Sequence, residues 1–257
     1  MIVVLSPAKT LNFENPSKSV EFTDPPLLEE SEKIMNALKK KSVKKLIELQ
    51  GISQNLGEIN FERNQVWSTS NNPGNSKQAI SAFKGDVYVG LNEEDFTESD
   101  YNYAQKHLRI LSGLYGILKP LDRIQPYRLE MGTPFKNSRG KNLYEFWKMR
   151  ITDVINVDFE KEESPVLVNL ASDEYFKGLK SKSIKARIVQ PVFMDMKNGK
   201  YKVISFFAKK ARGMMTRFII KNKLNDVEQV KAFDSEGYLF NKEMSTETKW
   251  YFTRNNE

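Results

Sequence analysis

Residues 187–223 read RIVQPVFMDMKNGKYKVISFFAKKARGMMTRFIIKNK and combine strand signals with a helix signal. The pair Asn198-Gly199 separates the runs Arg187–Met196 and Lys200–Phe206. Because an Asn-Gly pair tolerates positive φ at both turn positions, a β-hairpin is predicted there. Apolar residues then recur at the spacing of an amphipathic helix over Phe207–Lys223. Strands and helices mix along the chain without a regular βαβ period, so the sequence predicts an α+β (mixed α/β) fold.

Further elements follow from the same patterns. Short apolar runs predict buried strands, and helical spacing with caps and glycine stops predicts helices. The predicted strands are Ile2–Leu5, Val87–Leu91, Val166–Leu170, Tyr238–Phe240 and Trp250–Phe252, and the predicted helices are Leu27–Lys40, Ser42–Gln50, Gln54–Phe61, Ser76–Lys84, Thr97–Leu111 and Asn142–Val157. No repeat or low-complexity linker divides the 257 residues. We therefore expect one compact domain over residues 1–257, with a central mixed β-sheet and surrounding helices.

The composition excludes several kinds of site. The chain has no cysteine and one histidine, His107, so disulfides, thiolate catalysis, iron–sulfur clusters and Cys/His zinc sites are excluded. No spacing of carboxylates marks a metal site, and we expect neither a metal nor a cofactor. No apolar run approaches the roughly 18 residues of a membrane span. The start, MIVVLSPAKT, lacks the basic region of a secretory signal, so we expect a cytoplasmic protein without a membrane partner.

Positive charge is concentrated in one part of the chain. The net charge is +7, and residues 197–223 hold nine basic residues and no acidic one, whereas residues 86–100 hold six acidic residues and no basic one. On the predicted helix, Lys210, Arg217 and Lys221 fall on one side, next to Gly213. An acid-free basic face favours binding to a polyanion, and Gly213 would let a phosphate or another chain approach closely. The alternatives are an ordinary solvated face and a membrane-surface helix.

A glycine hairpin is predicted after the helix Thr97–Leu111. Residues 111–116 read LSGLYG, which is the apolar-x-Gly-apolar-x-Gly spacing of helix-hairpin-helix modules. Successive backbone N–H groups in such a hairpin can hold a phosphate without reading sequence. Lys119 and Arg123 lie just beyond it. The alternative is a glycine cap and turn between two packed helices.

Three polar clusters could line a cleft. They are Ser6–Thr10, which follows the first strand, Arg123–Thr133, and Asn169–Tyr175, which follows a buried strand. Open sheets often carry ligand-binding groups at such positions. A structural role is equally available to each cluster, with Arg128 and Glu130 as an ion pair and Ser172 as a helix cap. His107 is expected to pack in its helix, on the side of Tyr103.

Five motifs together resemble the peroxide stress protein YaaA family. They are SPAKTL (6–11), AFKGDVY (82–88), HLRILSGLYGILKPLDRIQPYRLEMGT (107–133), NLASDEYFK (169–177) and NGKYKVISFFAKKARGMMTRFII (198–220). The resemblance runs from Met1 to about Phe240. It implies a cytoplasmic bacterial protein that limits DNA and protein damage under hydrogen peroxide, in connection with lower unincorporated iron. It also implies DNA binding, an unusual α/β fold, a helix-hairpin-helix element and a positively charged cleft.

The leading hypothesis is therefore a non-enzymatic protein that binds double-stranded, bubbled or branched DNA without sequence specificity. The family hairpin falls on Ser112, Gly113, Leu114, Tyr115 and Gly116, and the motifs and the basic helix suggest the cleft residues Lys9, Lys119, Arg123, Arg128, Lys209, Lys210, Arg212, Arg217 and Lys221. The alternative is an enzyme acting on damaged DNA or on a phosphorylated small molecule in the same cleft. Its candidate groups are Lys9, Asp122, Arg128, Glu130, Asp173 and Glu174, among which no catalytic pair is assigned. A direct iron chelator is a third hypothesis.

Overall fold

The computed structural model describes residues 1–17, 19, 21–160 and 162–255. Within them the strands are β1 (Ile2–Leu5), β2 (Thr10–Leu11), β3 (Lys77–Gln78), β4 (Phe83–Lys84), β5 (Leu108–Ser112), β6 (Gly116–Leu118), β7 (Arg123–Ile124), β8 (Val166–Leu170), β9 (Arg187–Lys197), β10 (Lys200–Lys202), β11 (Leu239–Asn241) and β12 (Lys249–Arg254). The α-helices are α1 (Leu28–Lys39), α2 (Val43–Gln50), α3 (Gln54–Val66), α4 (Ala79–Ala82), α5 (Asp86–Leu91), α6 (Glu98–His107), α7 (Leu143–Trp147), α8 (Arg150–Val157), α9 (Asp173–Phe176) and α10 (Ser205–Lys221). Short 3-10 turns cover Glu93–Asp95, Ser181–Ser183, Val227–Ala232 and Ser235–Gly237.

The central sheet has eight strands in the order β11-β12-β9-β8-β1-β5-β6, with β10 paired to β9. Strands β12, β9, β8, β1 and β5 run parallel to their neighbours, whereas β6, β10 and β11 pair antiparallel. All four residues of β1 are buried, as expected for a parallel strand covered on both faces. One continuous hydrophobic core surrounds this sheet and includes Trp67, Trp147 and Trp250. The predicted mixed α/β fold, with a central mixed sheet and surrounding helices in one compact domain, is confirmed.

Local signals with a specific backbone requirement gave correct predictions. Asn198 and Gly199 have φ values of 53° and 71°, as the predicted hairpin turn requires. Gly51 ends α2 in the left-handed region at φ 59°. At the start of α6, Thr97 and Asp100 form the expected reciprocal capping box.

The predicted helix-hairpin-helix at residues 111–116 is wrong. Helix α6 ends at His107, and Leu108–Ser112 is a fully buried strand that pairs antiparallel with Gly116–Leu118. The same glycine spacing serves a tight β-turn, because Gly116 at φ 72° reverses the chain equally well between strands. The apolar run after His107 belongs to the sheet because it pairs with β1.

Other short segments also differ from prediction. Val87–Leu91 lies in helix α5 rather than in a strand, because a five-residue apolar run is compatible with either and packing decides. The predicted helix Ser76–Lys84 is helical only over Ala79–Ala82. The predicted helix over residues 142–157 breaks into α7 and α8 at Lys148, which has a φ of 45°.

Candidate nucleic-acid interface

The basic face of α10 is neutralised by acidic residues from elsewhere in the chain. Arg217 donates to the Asp95 carboxylate at 2.8 Å, and Lys210 forms an ion pair with Glu236. Lys221 lies 3.0 Å from an Asp100 oxygen. The acidic segment 86–100 thus supplies most of the counter-charges for the basic segment. The face formed by Lys210, Arg217 and Lys221 is therefore not acid-free, and its binding to a polyanion stays a prediction.

Gly213 serves the close approach of another helix. A Cβ on Gly213 would lie 1.8 Å from the Val87 carbonyl oxygen, and a Cβ on Gly90 would lie 2.1 Å from the Lys210 carbonyl oxygen. Helices α5 and α10 therefore cross with their backbones in contact. The sequence suggested that Gly213 lets either a phosphate or another chain approach closely. In the structure, the backbone of α5 lies against it.

The glycine hairpin is enclosed by the core. Ser112 and Tyr115 are 0% exposed, and Gly113 and Gly116 are buried. The Trp147 indole donates to the Gly113 carbonyl at 3.1 Å, and a Cβ on Gly113 would lie 2.3 Å from the Leu129 carbonyl oxygen. Ser112, Gly113, Tyr115 and Gly116, for which DNA contacts are predicted, therefore lie inside the fold rather than on an accessible surface, and those contacts stay a prediction.

Two of the predicted polar clusters are tied together by charge. The Glu130 carboxylate lies 2.9 Å from Lys9 and 3.1 Å from Arg128. The third cluster joins them at the carboxyl ends of β1 and β8, where the Ser172 N–H donates to Ser6 Oγ at 2.9 Å. The cavity beside Lys9 and Arg128 holds only about 10 Å³, which is room for one water at most. The three clusters do meet, but in a closed arrangement.

The remaining predicted residues differ in their surroundings, and Arg212 lies near Asp173 of the third polar cluster. Lys209 is exposed, and Lys119 is half-buried with its N–H donating to Asp122. Arg212 is half-buried, and burial lowers the pKa of its guanidinium while nearby Asp173 opposes that shift. His107 stacks on Tyr103 and bonds the Met1 carbonyl at 2.8 Å, which confirms its packing role.

A cleft of about 630 Å³ holds cations that the sequence analysis largely missed. Arg63 at the end of α3, Lys77 on β3 and Arg123 on β7 line it, and none of its described lining residues is Asp or Glu. Arg123 also stacks on the half-exposed Phe22 ring at 3.5 Å. We call this feature the acid-free cleft. Only Arg123 was predicted from sequence, since the pairing of β3 with β7 is what brings Lys77 beside it.

One wall of the acid-free cleft is formed by the chain segment before α1, which hydrogen bonds hold in place at Ser19, Glu21 and Thr23. Gln78 Nε2 donates to the carbonyls of Ser19 and Glu21 at 2.9 and 2.8 Å. Thr23 donates to the buried Asp122 carboxyl at 2.5 Å. Burial raises the pKa of Asp122 to about 6, against the opposing bonds from Thr23 and Lys119. These contacts hold the segment before α1 over the cleft floor.

A helical hairpin leads into the same cleft. Helices α2 and α3 are joined by the exposed Gly51, by Ile52 and by Ser53, whose side chain accepts from the Leu56 N–H. Gly57 lies under Ile47, because a Cβ there would be 2.5 Å from Ile47 Cγ1. The signal was present as LQGIS at residues 49–53, an apolar-x-Gly-apolar pattern between two helical segments. Of the first N–H groups of α3, that of Leu56 bonds Ser53 Oγ, whereas those of Gln54 and Asn55 have no partner within the helix.

The described residues contain no helix long and apolar enough to cross a membrane. Across those same residues, no three His, Cys, Asp or Glu side chains come together in a way that could hold a metal ion.

Comparison with known proteins gives a full-length match. The model of the family described as "Peroxide stress protein YaaA" matches residues 1–244. A UPF0246 protein from Saccharophagus degradans is 52% identical over 254 residues, which is 99% of this chain and 99% of that protein.

Proposed function

This chain belongs to the peroxide stress protein YaaA family, and on that premise we propose that it binds DNA without sequence specificity and limits iron-driven oxidative damage. The observation that carries the proposal is the acid-free cleft at one end of α3 with the helical hairpin at the other. The partner is double-stranded, bubbled or branched DNA. Damage is limited because the protein covers DNA that iron-generated radicals would otherwise attack.

The charges of the cleft support an anionic partner. Arg63, Lys77 and Arg123 form no ion pair with any residue that the structure describes, in contrast to the cations of α10. Unpaired guanidinium groups are suited to phosphate, which they bind through two parallel hydrogen bonds. Burial lowers the pKa of Arg63, yet an arginine remains charged at neutral pH. The two arginines of the cleft therefore present fixed positive charge.

The helical hairpin supplies a second contact on the same nucleic acid. Ser53 and Arg63 are ten residues apart along α3, which is about 15 Å at 1.5 Å per residue. That span equals about four base steps of a DNA strand. One duplex can therefore reach the backbone N–H groups at the hairpin and the cations of the cleft. Backbone and phosphate contacts carry no base information, which accounts for the absence of sequence specificity.

The proposal is tested by fluorescence anisotropy with duplex, bubble and four-way-junction DNA. The double variant Arg63→Glu/Arg123→Glu should bind at least tenfold more weakly than the wild type, because two phosphate contacts become repulsive. The charge-matched control is Lys182→Glu/Lys185→Glu, since both lysines are exposed and distant in sequence from the cleft. Unchanged binding by the first variant, or an equal loss in the control, would contradict the proposed interface.

The same variants test the protective role. Wild-type protein should slow the nicking of supercoiled DNA by Fe(II) and hydrogen peroxide, and the cleft variant should not. Protection by both proteins alike would show that it does not depend on coverage of the DNA.

A further inference from the structure

Lys77 is a buried amine on the floor of two cavities. Its side chain is 7% exposed, and it lines the acid-free cleft of about 630 Å³. It also lines a neighbouring cavity of about 500 Å³ with Lys84, Tyr88 and Glu93. Residues Asn15 and Pro16 line both cavities, so the two spaces meet beside Lys77. A small ligand can therefore reach this amine from two directions.

The surroundings of Lys77 do not favour its protonated form. Its Nζ donates to the Asn12 carbonyl at 3.1 Å, and no described carboxylate lies within ion-pair distance of it. Burial lowers the pKa of Lys77, and Glu93 opposes this only partly. A lower pKa increases the fraction of free amine, and the free amine carries the nucleophilic lone pair.

The two neighbouring arginines indicate what the amine would meet. Arg63 and Arg123 line the same cleft and suit phosphate groups. A ligand that places phosphates on both and a carbon centre at Lys77 is a phosphate-bearing sugar. Lysine amines react readily with carbonyl carbons. Oxidative loss of a base from DNA leaves a sugar of this kind, whose ring-open form is an aldehyde between two phosphates.

We propose that Lys77 captures phosphate-bearing sugar aldehydes as a covalent imine, with an abasic site in DNA as the macromolecular source. This inference rests on the proposed function for its DNA source alone. The Nζ lone pair attacks the aldehyde carbon and a carbon–nitrogen bond forms. The two amine protons leave with the carbonyl oxygen as water, which gives an imine with no external oxidant or reductant. A base-free sugar lacks stacking and pairing, so it leaves the helix at little cost.

The experiment traps the imine with sodium cyanoborohydride. The full-length protein is incubated at pH 7 with a duplex that contains one abasic site, reduced, digested with nuclease to leave only the sugar fragment, and analysed by intact mass and by tryptic mapping. A reduced adduct on Lys77 blocks tryptic cleavage, so residues 64–84 appear as one peptide up to Lys84 with the mass of the sugar fragment. A second arm uses glyceraldehyde 3-phosphate, which is a phosphorylated aldehyde without DNA.

The matched variants are Lys77→Arg and Lys84→Arg, which keep the charge. Lys84 is exposed and lines the neighbouring cavity, so it controls for general lysine reactivity. Lys77→Arg should lose at least nine-tenths of the adduct, whereas Lys84→Arg should match the wild type. The Met1 amine is a weak competitor because it is held 2.9 Å from the Glu162 carboxylate.

An adduct on Lys77 in the DNA arm supports the proposal with DNA as the source. An adduct on Lys77 only with glyceraldehyde 3-phosphate supports the same amine with a small-molecule source. The absence of an adduct in both arms, or adducts spread over exposed lysines, overturns it, and this result stands even if Lys77→Arg fails to fold. Because anisotropy reports binding separately, a protein that binds DNA without forming the adduct would leave the proposed function intact.

Discussion

Lys221 and Lys77 have the same side chain but different neighbours: Lys221 contacts carboxylates, whereas Lys77 contacts a backbone carbonyl. Lys221 lies between Asp95 and Asp100, so these two carboxylates of the same chain neutralise its charge. Lys77 is more deeply buried and has a backbone carbonyl as its hydrogen-bond partner. The sequence marked Lys221 as a candidate and passed over Lys77. The difference lies in acidic residues more than 100 positions from Lys221, which no local pattern reveals.

Asp122 is the residue for which a pH effect on stability is predicted. It is 0% exposed, and burial raises its pKa to about 6 against bonds from Thr23 and Lys119. A folded-state pKa above the unfolded value means that the contribution to stability is full below about pH 4 and is lost as the pH rises through 6. A shift of about two pKa units corresponds to about 3 kcal/mol. The Asp122→Asn variant cannot titrate and loses this dependence.

The measurement is the free energy of unfolding by urea at pH 4 and pH 7 for both proteins. The difference between variant and wild type should move by about 3 kcal/mol in favour of the variant from the lower to the higher pH. Other titrating groups, such as Glu30 with its lowered pKa, are shared by both proteins and cancel. Parallel stability profiles would contradict the assignment to Asp122.

At the scale of elements, sequence patterns succeeded where the backbone itself was constrained. The C-terminal end of α2, the turn at Asn198-Gly199 and the cap at Thr97 all follow from local chemistry, whereas α10 begins and ends two residues before the predicted helix. The prediction for residues 111–116 failed because a glycine-rich turn between two helices has the same sequence pattern as one between two strands. Burial against β1 decides between them, and that contact joins positions over 100 residues apart.

The crossing of α5 and α10 predicts that a glycine-to-alanine substitution in a helix lowers the free energy of unfolding, where it would ordinarily raise it. Replacement of a helical glycine by alanine ordinarily stabilises a helix by about 1 kcal/mol. In Gly213→Ala the new Cβ would lie 1.8 Å from the Val87 carbonyl oxygen, so the helices must separate. We expect a loss of about 3 kcal/mol, at the upper end of overpacking effects. Urea unfolding measures it.

Gly57→Ala is the matched control for Gly213→Ala. Its Cβ would meet the Ile47 side chain at 2.5 Å, and a side chain can rotate away where a backbone carbonyl cannot. The control should therefore lose clearly less stability than Gly213→Ala. Equal losses in both variants, or a gain in Gly213→Ala, would show that the two backbones do not meet as described.

At the scale of the whole molecule, the distribution of charge along the sequence does not show which cations lie without an acidic partner in the folded protein. The nine basic residues of segment 197–223 and the six acidic residues of segment 86–100 look like separate surfaces. The fold brings them together through the contact between α5 and α10, as the pair Arg217–Asp95 shows. The cleft instead draws Arg63, Lys77 and Arg123 from three elements, none of which is rich in charge. Only the tertiary structure places them together.

The number of phosphates neutralised distinguishes the two surfaces. For duplex DNA the logarithm of the binding constant falls with the logarithm of salt at about −0.9 for each phosphate neutralised, so the two cleft arginines give a slope of about −2. If the nine basic residues of segment 197–223 bound the DNA, the slope would be about −8. The measurement is anisotropy with one duplex over a series of potassium chloride concentrations. We expect the wild type to follow the shallow line and Arg63→Glu/Arg123→Glu to lose about two units of slope, since both arginine contacts are gone. A steep wild-type slope that the cleft variant leaves unchanged would place the DNA on α10 and require the ion pairs with Asp95, Asp100 and Glu236 to open on binding.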